Sequence, residues 1–325
     1  MPLVLSEADV KSLISMDDLI EAMESALVEF SGGRVQQPLR TVLVVGEKSF
    51  FGVMPAFVPA LPALGTKMVT VFADNAERGL PTHLATITLL DPETGALQAI
   101  LDGRYITEAR TAAVSAVSVK HLARESAGTL AIIGSGVQAR SHLEAIARVR
   151  RLREVRVWSP SAEHRETFAS EMSSASGSPV VAVSSAEQAV AGADLIVLAT
   201  ASREPVLRTE WVEEGAHICA VGACRPDQRE MDAALVARAR LYVDSREGAL
   251  AEAGDVVLAM ADRAIDASHI AGELGEVVAG AVPGRLRASD VTIFKSLGMA
   301  VEDVGAAHLA FERAKKRGAG SNYEL

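Results

Sequence analysis

Cysteine is scarce in this chain: two in 325 residues, too few for a disulfide framework. Positive charge is in deficit, with 32 Lys and Arg against 42 Asp and Glu and a net charge of −10. That balance argues against nucleic acid and anionic membrane surfaces as partners, since both draw basic faces. Apolar runs are broken by charge before the ~18 residues that a membrane span needs. The opening MPLVLSEADV has neither the basic n-region nor the apolar core of a secretion signal. Internal repeats and low-complexity linkers are missing as well. The seven histidines show no ligand spacing, and Cys219 and Cys224 have no matching pair, so no metal site is expected. What remains is 49% hydrophobic and 23% charged, a globular composition long enough for two cores. A cytoplasmic protein is expected.

The chain opens with helical periodicity. Ser6 with Asp9 carries the capping-box signature, and DDLIEAMESALVEF has an apolar stripe that stops at Gly32 and Gly33. Short β-rich runs follow: RTVLVV, FFGVMPAF, KMVTVF, HLATITLLD and LQAILD, with DPETG at 91–95 as the hairpin turn between the last two. They predict a mostly antiparallel sheet, succeeded by a long small-residue helix, ITEARTAAVSAVSVKHLA. From residue 129 the pattern changes to short apolar strands, TLAII, VRVW, PVVAV, ADLIVLAT, HICAVG and RLYVDS. Helical stretches such as VQARSHLEAIARVRR and EMDAALVARAR separate several of them, which predicts a parallel, doubly wound sheet. The tail FKSLGMAVEDVGAAHLAFERAKK reads as one helix returning to the first domain.

IIGSGVQA places Gly134, Gly136 and Ala139 in a G-x-G-x-x-A arrangement between a strand and a helix. Gly134 permits the tight turn, Gly136 lets main chain approach a pyrophosphate, and Ala139 lets helix pack on sheet. The helix N-terminus offers free N–H groups to the phosphates. A glycine turn can be structural only, but this context favours cofactor binding. Sites selective for NAD usually carry an acid at the end of the second strand. Here VRVW runs into SPSAEHR, so Trp158, Ser159, Pro160 and Ser161 put no carboxylate at the tip. The serines, with Arg165 or Arg140, suit a 2′-phosphate, while Glu163 fits an N-cap role. NADP(H) is therefore preferred and NAD(H) remains possible.

Arg40 and Lys67 lie in or beside strand-like runs, and Arg110 lies in the first turns of the following helix. Singly, each reads as a solvated edge or surface ion pair. Converging near a nucleotide, the three would clamp a carboxylate, with Arg giving a two-pronged grip. His83 in PTHLAT reads equally well as a strand-end residue.

Over most of its length the chain resembles the ornithine cyclodeaminase/μ-crystallin family, most closely the μ-crystallin branch of ketimine reductases. The resemblance rests on QQPLRTVLVV, GVMPAF, LDGRYITEARTAAVSA, IIGSGVQA, AVAGADLIVLAT, EPVL, LYVDS, GDV, ELGEV and FKSLGMAVED, in the family's order. It implies a homodimer of α/β chains. Residues 1–112 and 303–325 would form a substrate-binding and dimerisation domain, and 113–302 a Rossmann domain. It also implies that Arg40, Lys67 and Arg110 surround a substrate carboxylate, and that Thr82, His83, Arg110 and Thr111 lie near the cofactor. Gly134, Gly136, Val137 and Gln138 match the pyrophosphate turn. Ser159, Pro160 and Ser161, with Arg165, match the adenosine-phosphate region, which reads Asn-Arg-Thr in the μ-crystallin branch. Thr200, Ala201, Val221, Ser296, Leu297 and Gly298 match the nicotinamide end, and Glu252 a substrate-pocket acid, with Leu297 also lining that pocket.

Cys224 takes its meaning from the same resemblance. The cyclodeaminases carry an aspartate there, before the proline of a P-x-x-x-E-L signature that reads Pro226, Glu230 and Met231 in this chain. A neutral thiol is no substitute for an ionised carboxylate as a base near neutral pH. Cys224 therefore reads as a pocket-lining residue rather than a catalytic thiol. The expected activity is NAD(P)H-dependent reduction of cyclic ketimines bearing a 2-carboxylate, with Lys67 or water as proton donor. The rivals are ornithine or lysine cyclodeamination, alanine dehydrogenase-like reductive amination, and ligand binding without turnover.

Overall fold

The computed structural model describes residues 1–46 and 49–323; the last two residues of the expected 303–325 segment, Glu324 and Leu325, lie outside the described residues. The chain divides into two compact units, Met1–Arg110 with Gly298–Leu325, and Thr111–Leu297. The first break is two residues before the expected boundary at 112, and the second five before that at 303.

The elements of the first stretch are β1 (Leu3–Leu5), α1 (Glu7–Leu13), α2 (Met16–Ser31), β2 (Thr41–Val45), β3 (Ser49–Val58), β4 (Ala63–Phe72), β5 (His83–Leu90) and β6 (Leu97–Asp102). Helix α3 (Arg104–Leu122) carries the boundary. Then come β7 (Thr129–Ile133), α4 (Val137–Val149), β8 (Glu154–Trp158), α5 (Ala162–Ser176), β9 (Val180–Ala182), α6 (Ala186–Val190), β10 (Leu195–Leu198) and β11 (His217–Ala220). The chain continues through α7 (Ala233–Arg238), β12 (Arg240–Val243), α8 (Arg246–Glu252), α9 (Gly254–Ala261), β13 (Ile270–Glu273), α10 (Leu274–Val278) and β14 (Thr292–Lys295). It closes with α11 (Ala300–Arg317) and β15 (Ser321–Asn322).

In the first unit the expected capping box at Ser6 and Asp9 is joined by another at Ser15 and Asp18, so the opening segment is two helices. Met16, Leu19, Ile20, Met23, Ala26 and Leu27 recur at helical spacing and are buried, and Gly32 caps the end. The sheet runs β15-β1-β6-β5-β4-β3-β2, antiparallel from β6 to β2, as the sequence leads one to expect. The short β1, which the sequence reading passed over, joins β6 in parallel. Alternation puts Met54, Ala56 and Val58 of β3 and Ala85, Ile87 and Leu89 of β5 inside. Helix α11 packs over β3, β4 and β5 and against α2.

The second unit is a wholly parallel sheet in the order β13-β12-β14-β11-β10-β7-β8-β9. Successive strand residues point to opposite faces. Ile133, Ile196 and Ile218 enter one core, while Ile132, Val197 and Cys219 enter the other. Both faces are therefore covered, which is why these strands read as continuous apolar runs. One expectation fails here: the tail is not a single helix. Its Phe294 and Lys295 close β14, a strand between β11 and β12, and α11 begins only at Ala300. β-branched and aromatic residues in TIFK favour extended chain, and Gly298, at φ +79, breaks the path between them.

Arg313 of α11 donates to both carboxylate oxygens of Asp18, at 2.5 and 2.6 Å, and to the Leu13 carbonyl at 2.9 Å. The Arg313 guanidinium holds Asp18 well below the usual carboxylate range. Asp18→Ala should cost about 2 kcal/mol, from a lost cap and a lost two-pronged pair. Urea titration checks this, and the deficit should narrow as acid protonates the wild-type carboxyl.

Candidate active site

Lys67 projects from the middle of β4 into the first unit with 2% exposure. Its Nζ lies 2.5 Å from Asp303 Oδ2. From α3, Arg110 donates through Nε to Asp303 Oδ1 at 2.8 Å and through Nη1 to Glu302 Oε2 at 2.7 Å. Arg40 donates to the Gly298 carbonyl at 3.2 Å. A side chain at Gly298 would fall on the Arg110 guanidinium, so glycine lets main chain pass against the cation. Glu302 and Asp303 sit in the first turn of α11, with no exposed surface, where the helix dipole favours negative charge. Three cations, Arg40, Lys67 and Arg110, thus gather around these two carboxylates. Guanidinium and ammonium donors gathered in this way suit a carboxylate.

Burial pushes the Lys67 ammonium down to about 8; Asp303 resists, while Arg110 and Arg40 push further. Burial, then Lys67 and Arg110, take His83 down to about 4, so its ring is neutral at pH 7. Burial works to raise the Asp303 carboxyl, but Arg110 and Lys67 outweigh it and keep it ionised. These mutual influences put Arg40, Lys67, Arg110 and His83 in one electrostatic neighbourhood. Thr82 lies in the exposed turn before β5, its carbonyl accepting from Phe72 N–H at 2.8 Å. Sequence reasoning passed over Glu302 and Asp303. Paired acids just inside a helix start, after Gly298, were the available signal.

In the second unit, Gly134 has φ +116, and a Cβ there would come within 2.5 Å of the Ala199 carbonyl. The turn thus sits where β7 meets β10, while the chain departs to β8 on the other side, the switch point at which such sheets bind ligands. Helix α4 starts after Gly136 with no side-chain cap, whereas α5, α6, α7 and α8 are capped by Ser161, Ser185, Asp232 and Ser245. Val137 and Gln138 in its first turn can thus present N–H groups to a phosphate. Open space faces Gly136. These residues fit a dinucleotide pyrophosphate.

At the tip of β8, Ser159 is 5% exposed and its hydroxyl accepts from Ser135 Oγ at 2.9 Å. Arg165 donates to the Ser159 carbonyl at 3.0 Å. Arg140 is engaged by Glu171 and by the Ser135 carbonyl, both at 2.6 Å. Pro160 is exposed, Ser161 caps α5, and Glu163 stands in that helix's first turn. No acid occupies the strand tip.

Thr200 and Ala201 follow β10, Val221 and Cys224 follow β11, and Ser296 and Leu297 follow β14. The Cys224 thiol donates to the Val221 carbonyl at 3.1 Å. Leu297 N–H donates to Asp244 Oδ2 at 2.5 Å. Glu252 ends α8, half-buried, and Thr111 is buried in α3. Cys219 lies in the core, where burial pushes its thiol up to about 12. The buried Glu230, Asp244, Asp255 and Lys295 at this end of the sheet were not singled out as site residues from sequence.

The family model for the ornithine cyclodeaminase/mu-crystallin family matches residues 1–318. The ketimine reductase mu-crystallin of Rattus norvegicus is 46% identical over 96% of this chain and 97% of its own length. Among solved structures, Thermococcus litoralis Delta(1)-pyrroline-2-carboxylate reductase, in complex with NADH and L-proline, superposes with a TM-score of 0.97 at 41% identity, covering 99% of this chain and 100% of its own. An archaeal alanine dehydrogenase dimer with bound NAD gives a TM-score of 0.95 at 34% identity, covering 100% and 99%. With a family model over residues 1–318 and relatives that match nearly the whole chain, the chain belongs to the ornithine cyclodeaminase/mu-crystallin family.

Proposed function

We propose that this protein is an NAD(P)H-dependent reductase of cyclic ketimines bearing a 2-carboxylate, such as Δ1-pyrroline- or Δ1-piperideine-2-carboxylate, giving cyclic amino acids. The convergence of Arg40, Lys67 and Arg110 in one electrostatic neighbourhood carries the reading, because guanidinium and ammonium donors together suit a small carboxylate. The relatives support it: one is a ketimine reductase, and another binds NADH with L-proline, the reduced form of a pyrroline-2-carboxylate.

The nicotinamide cofactor, when bound at the Gly134–Gln138 turn, supplies the hydride. Arg110 and Arg40 hold the substrate carboxylate and so orient C2. Lys67, protonated below about pH 8, holds the proton that the imine nitrogen needs. His83 has no proton to give at neutral pH. Asp303 keeps Lys67 charged and points it, and Glu302 aims Arg110. Cys224, Leu297 and Glu252 line the substrate pocket in this reading. Cofactor preference goes to NADP(H), since the β8 tip lacks an acid and Arg165 lies beside Ser159; NAD(H) is also accepted, in keeping with the NADH-bound relative.

The same reading includes a homodimer. Edge strand β2 exposes Val42 (46%), Leu43 (56%), Val44 (69%) and Val45 (45%), an open apolar edge that soluble chains usually cover. A second copy suits it, and a relative is a dimer. A cytoplasmic setting suits cysteines that form no disulfide. Among the described residues no helix is long and apolar enough to cross a membrane.

Purified protein should consume NADPH, and NADH less efficiently, with Δ1-piperideine-2-carboxylate. It should release no ammonia from ornithine or lysine; ammonia without imine reduction would reverse the assignment. Light scattering should give twice the 34.1 kDa chain mass, and Val44→Lys should shift it toward one chain. Asp303→Asn should lower kcat/KM about 100-fold and cost about 3 kcal/mol of stability, because it leaves buried cations short of a partner. Lys67 then loses the carboxylate that raises its proton affinity, so the alkaline limb of the pH–rate profile should move to lower pH.

A further inference from the structure

Glu230 lies between β11 and α7 with no exposed surface, an uncommon place for a carboxylate. Its Oε1 accepts from Thr200 N–H at 2.6 Å and from the Thr200 hydroxyl at 2.7 Å, and its Oε2 from Gly222 N–H at 2.7 Å. Thr200 follows β10 and Gly222 follows β11, neighbouring strands whose carboxyl ends form the edge where open α/β sheets bind ligands. One side chain thus ties two loops of that edge together.

The acid is itself firmly held. Its N–H donates to Asp255 Oδ1 at 2.8 Å, beside Met231 N–H at 3.1 Å. Its carbonyl accepts from Val206 and Leu207, both at 2.9 Å. The other oxygen of Asp255 lies 3.3 Å from Lys295 Nζ at the end of β14. A side chain at Gly222 would overlap the Thr200 carbonyl and come within 2.5 Å of Glu230 Oε1, so the loops meet without slack. We infer that Glu230 is a positioning residue for the nicotinamide end of the cofactor: as an ionised acceptor of three donors, it fixes the loops after β10 and β11 in the shape that binds the dinucleotide. The inference rests on the reductase reading only for what occupies that edge.

Among the described residues, the charged groups that bear most on Glu230 are Lys295 from β14 and Asp255 from α9, and Cys224 from the turn after β11 bears on Lys295. Burial pushes the Glu230 carboxyl up to about 7; Lys295 pulls it down, Asp255 raises it, and the Thr200 donors lower it. A protonated carboxyl would place an O–H against the Gly222 N–H or force the Thr200 hydroxyl to turn from donor to acceptor, so the present three-donor arrangement would be lost. The competent form is the charged one, present above that pKa and lost as pH falls through it.

Dissociation constants for NADPH and NADH, read by cofactor fluorescence from about pH 5.5 to about pH 9, test this against the titration of a carboxyl near neutrality. For wild type, binding should weaken several-fold on the acid side. Glu230→Gln turns an NH2 group toward a donor now satisfied, and should weaken binding about tenfold with a flat pH profile, the cost of one buried bond. Its KM for the imine should stay near wild type. Thr200→Val keeps the N–H donor, and should weaken binding about threefold with the pH dependence intact. Wild-type affinity and pH slope in Glu230→Gln would overturn the inference. If that variant fails to fold, an unchanged affinity in Thr200→Val overturns it instead. Because affinity is read directly, a protein that binds NADPH but reduces no imine removes the reductase reading alone, and one that binds neither dinucleotide removes both.

Discussion

Asp303 sits without exposed surface between the Lys67 ammonium at 2.5 Å and the Arg110 guanidinium at 2.8 Å. Taking three such charges out of water costs several kcal/mol each unless every one finds a close partner. The arrangement meets that demand by sharing. Asp303 serves two cations, Glu302 takes the remaining arm of Arg110, and Glu302 also accepts from Met299 N–H at 3.1 Å. The start of α11 is thereby fixed, and with it the helix that covers β3, β4 and β5. Fold and prospective chemistry of the first unit hang on one carboxylate, which explains how so polar a centre persists within an apolar one.

The second unit deals with buried charge by a different route. Asp244 accepts from Ser245 and Leu297 N–H groups, Asp255 from Glu230 and Met231, and Glu230 from Thr200 and Gly222. Parallel strands end in loops whose N–H groups have lost their sheet partners, and carboxylates satisfy them. Anchoring is done largely by main chain there, and the glycine turn is left with N–H groups uncommitted by any side-chain cap. A unit whose main chain suits a phosphate is thus paired in sequence with one whose side chains suit a carboxylate.

Periodicity made most of this legible. Alternation gave the antiparallel strands, buried runs gave the parallel ones, and Gly134, Gly136 and Ala139 marked the switch point because each answers a local steric need. Lys67 and Arg110 were legible as candidates, but their partners were not. Glu302 and Asp303 sit in a segment whose 3.6-residue pattern reads as an ordinary amphipathic helix, and only their place just inside its start, after Gly298, hints at burial. The strand β14 was absorbed into that same helix, since four residues with a terminal lysine are too few to declare a period of two. Glu230, Asp255 and Lys295 come together from distant stretches of chain, a juxtaposition that only the closed sheet creates.

The proton inventory bears on the direction of the chemistry. Reducing an imine needs a group that enters the reaction already protonated, whereas expelling ammonia from a diamine needs one that enters without its proton. In the first unit, Lys67 at about 8 carries a proton at neutral pH, and His83 at about 4 does not. The carboxylates that could have served as bases, Glu302 and Asp303, are committed to Arg110 and Lys67. In the second unit the Cys224 thiol donates to the Val221 carbonyl. With Lys67 protonated at neutral pH and Glu302 and Asp303 committed to cations, the first unit is suited to delivering a proton.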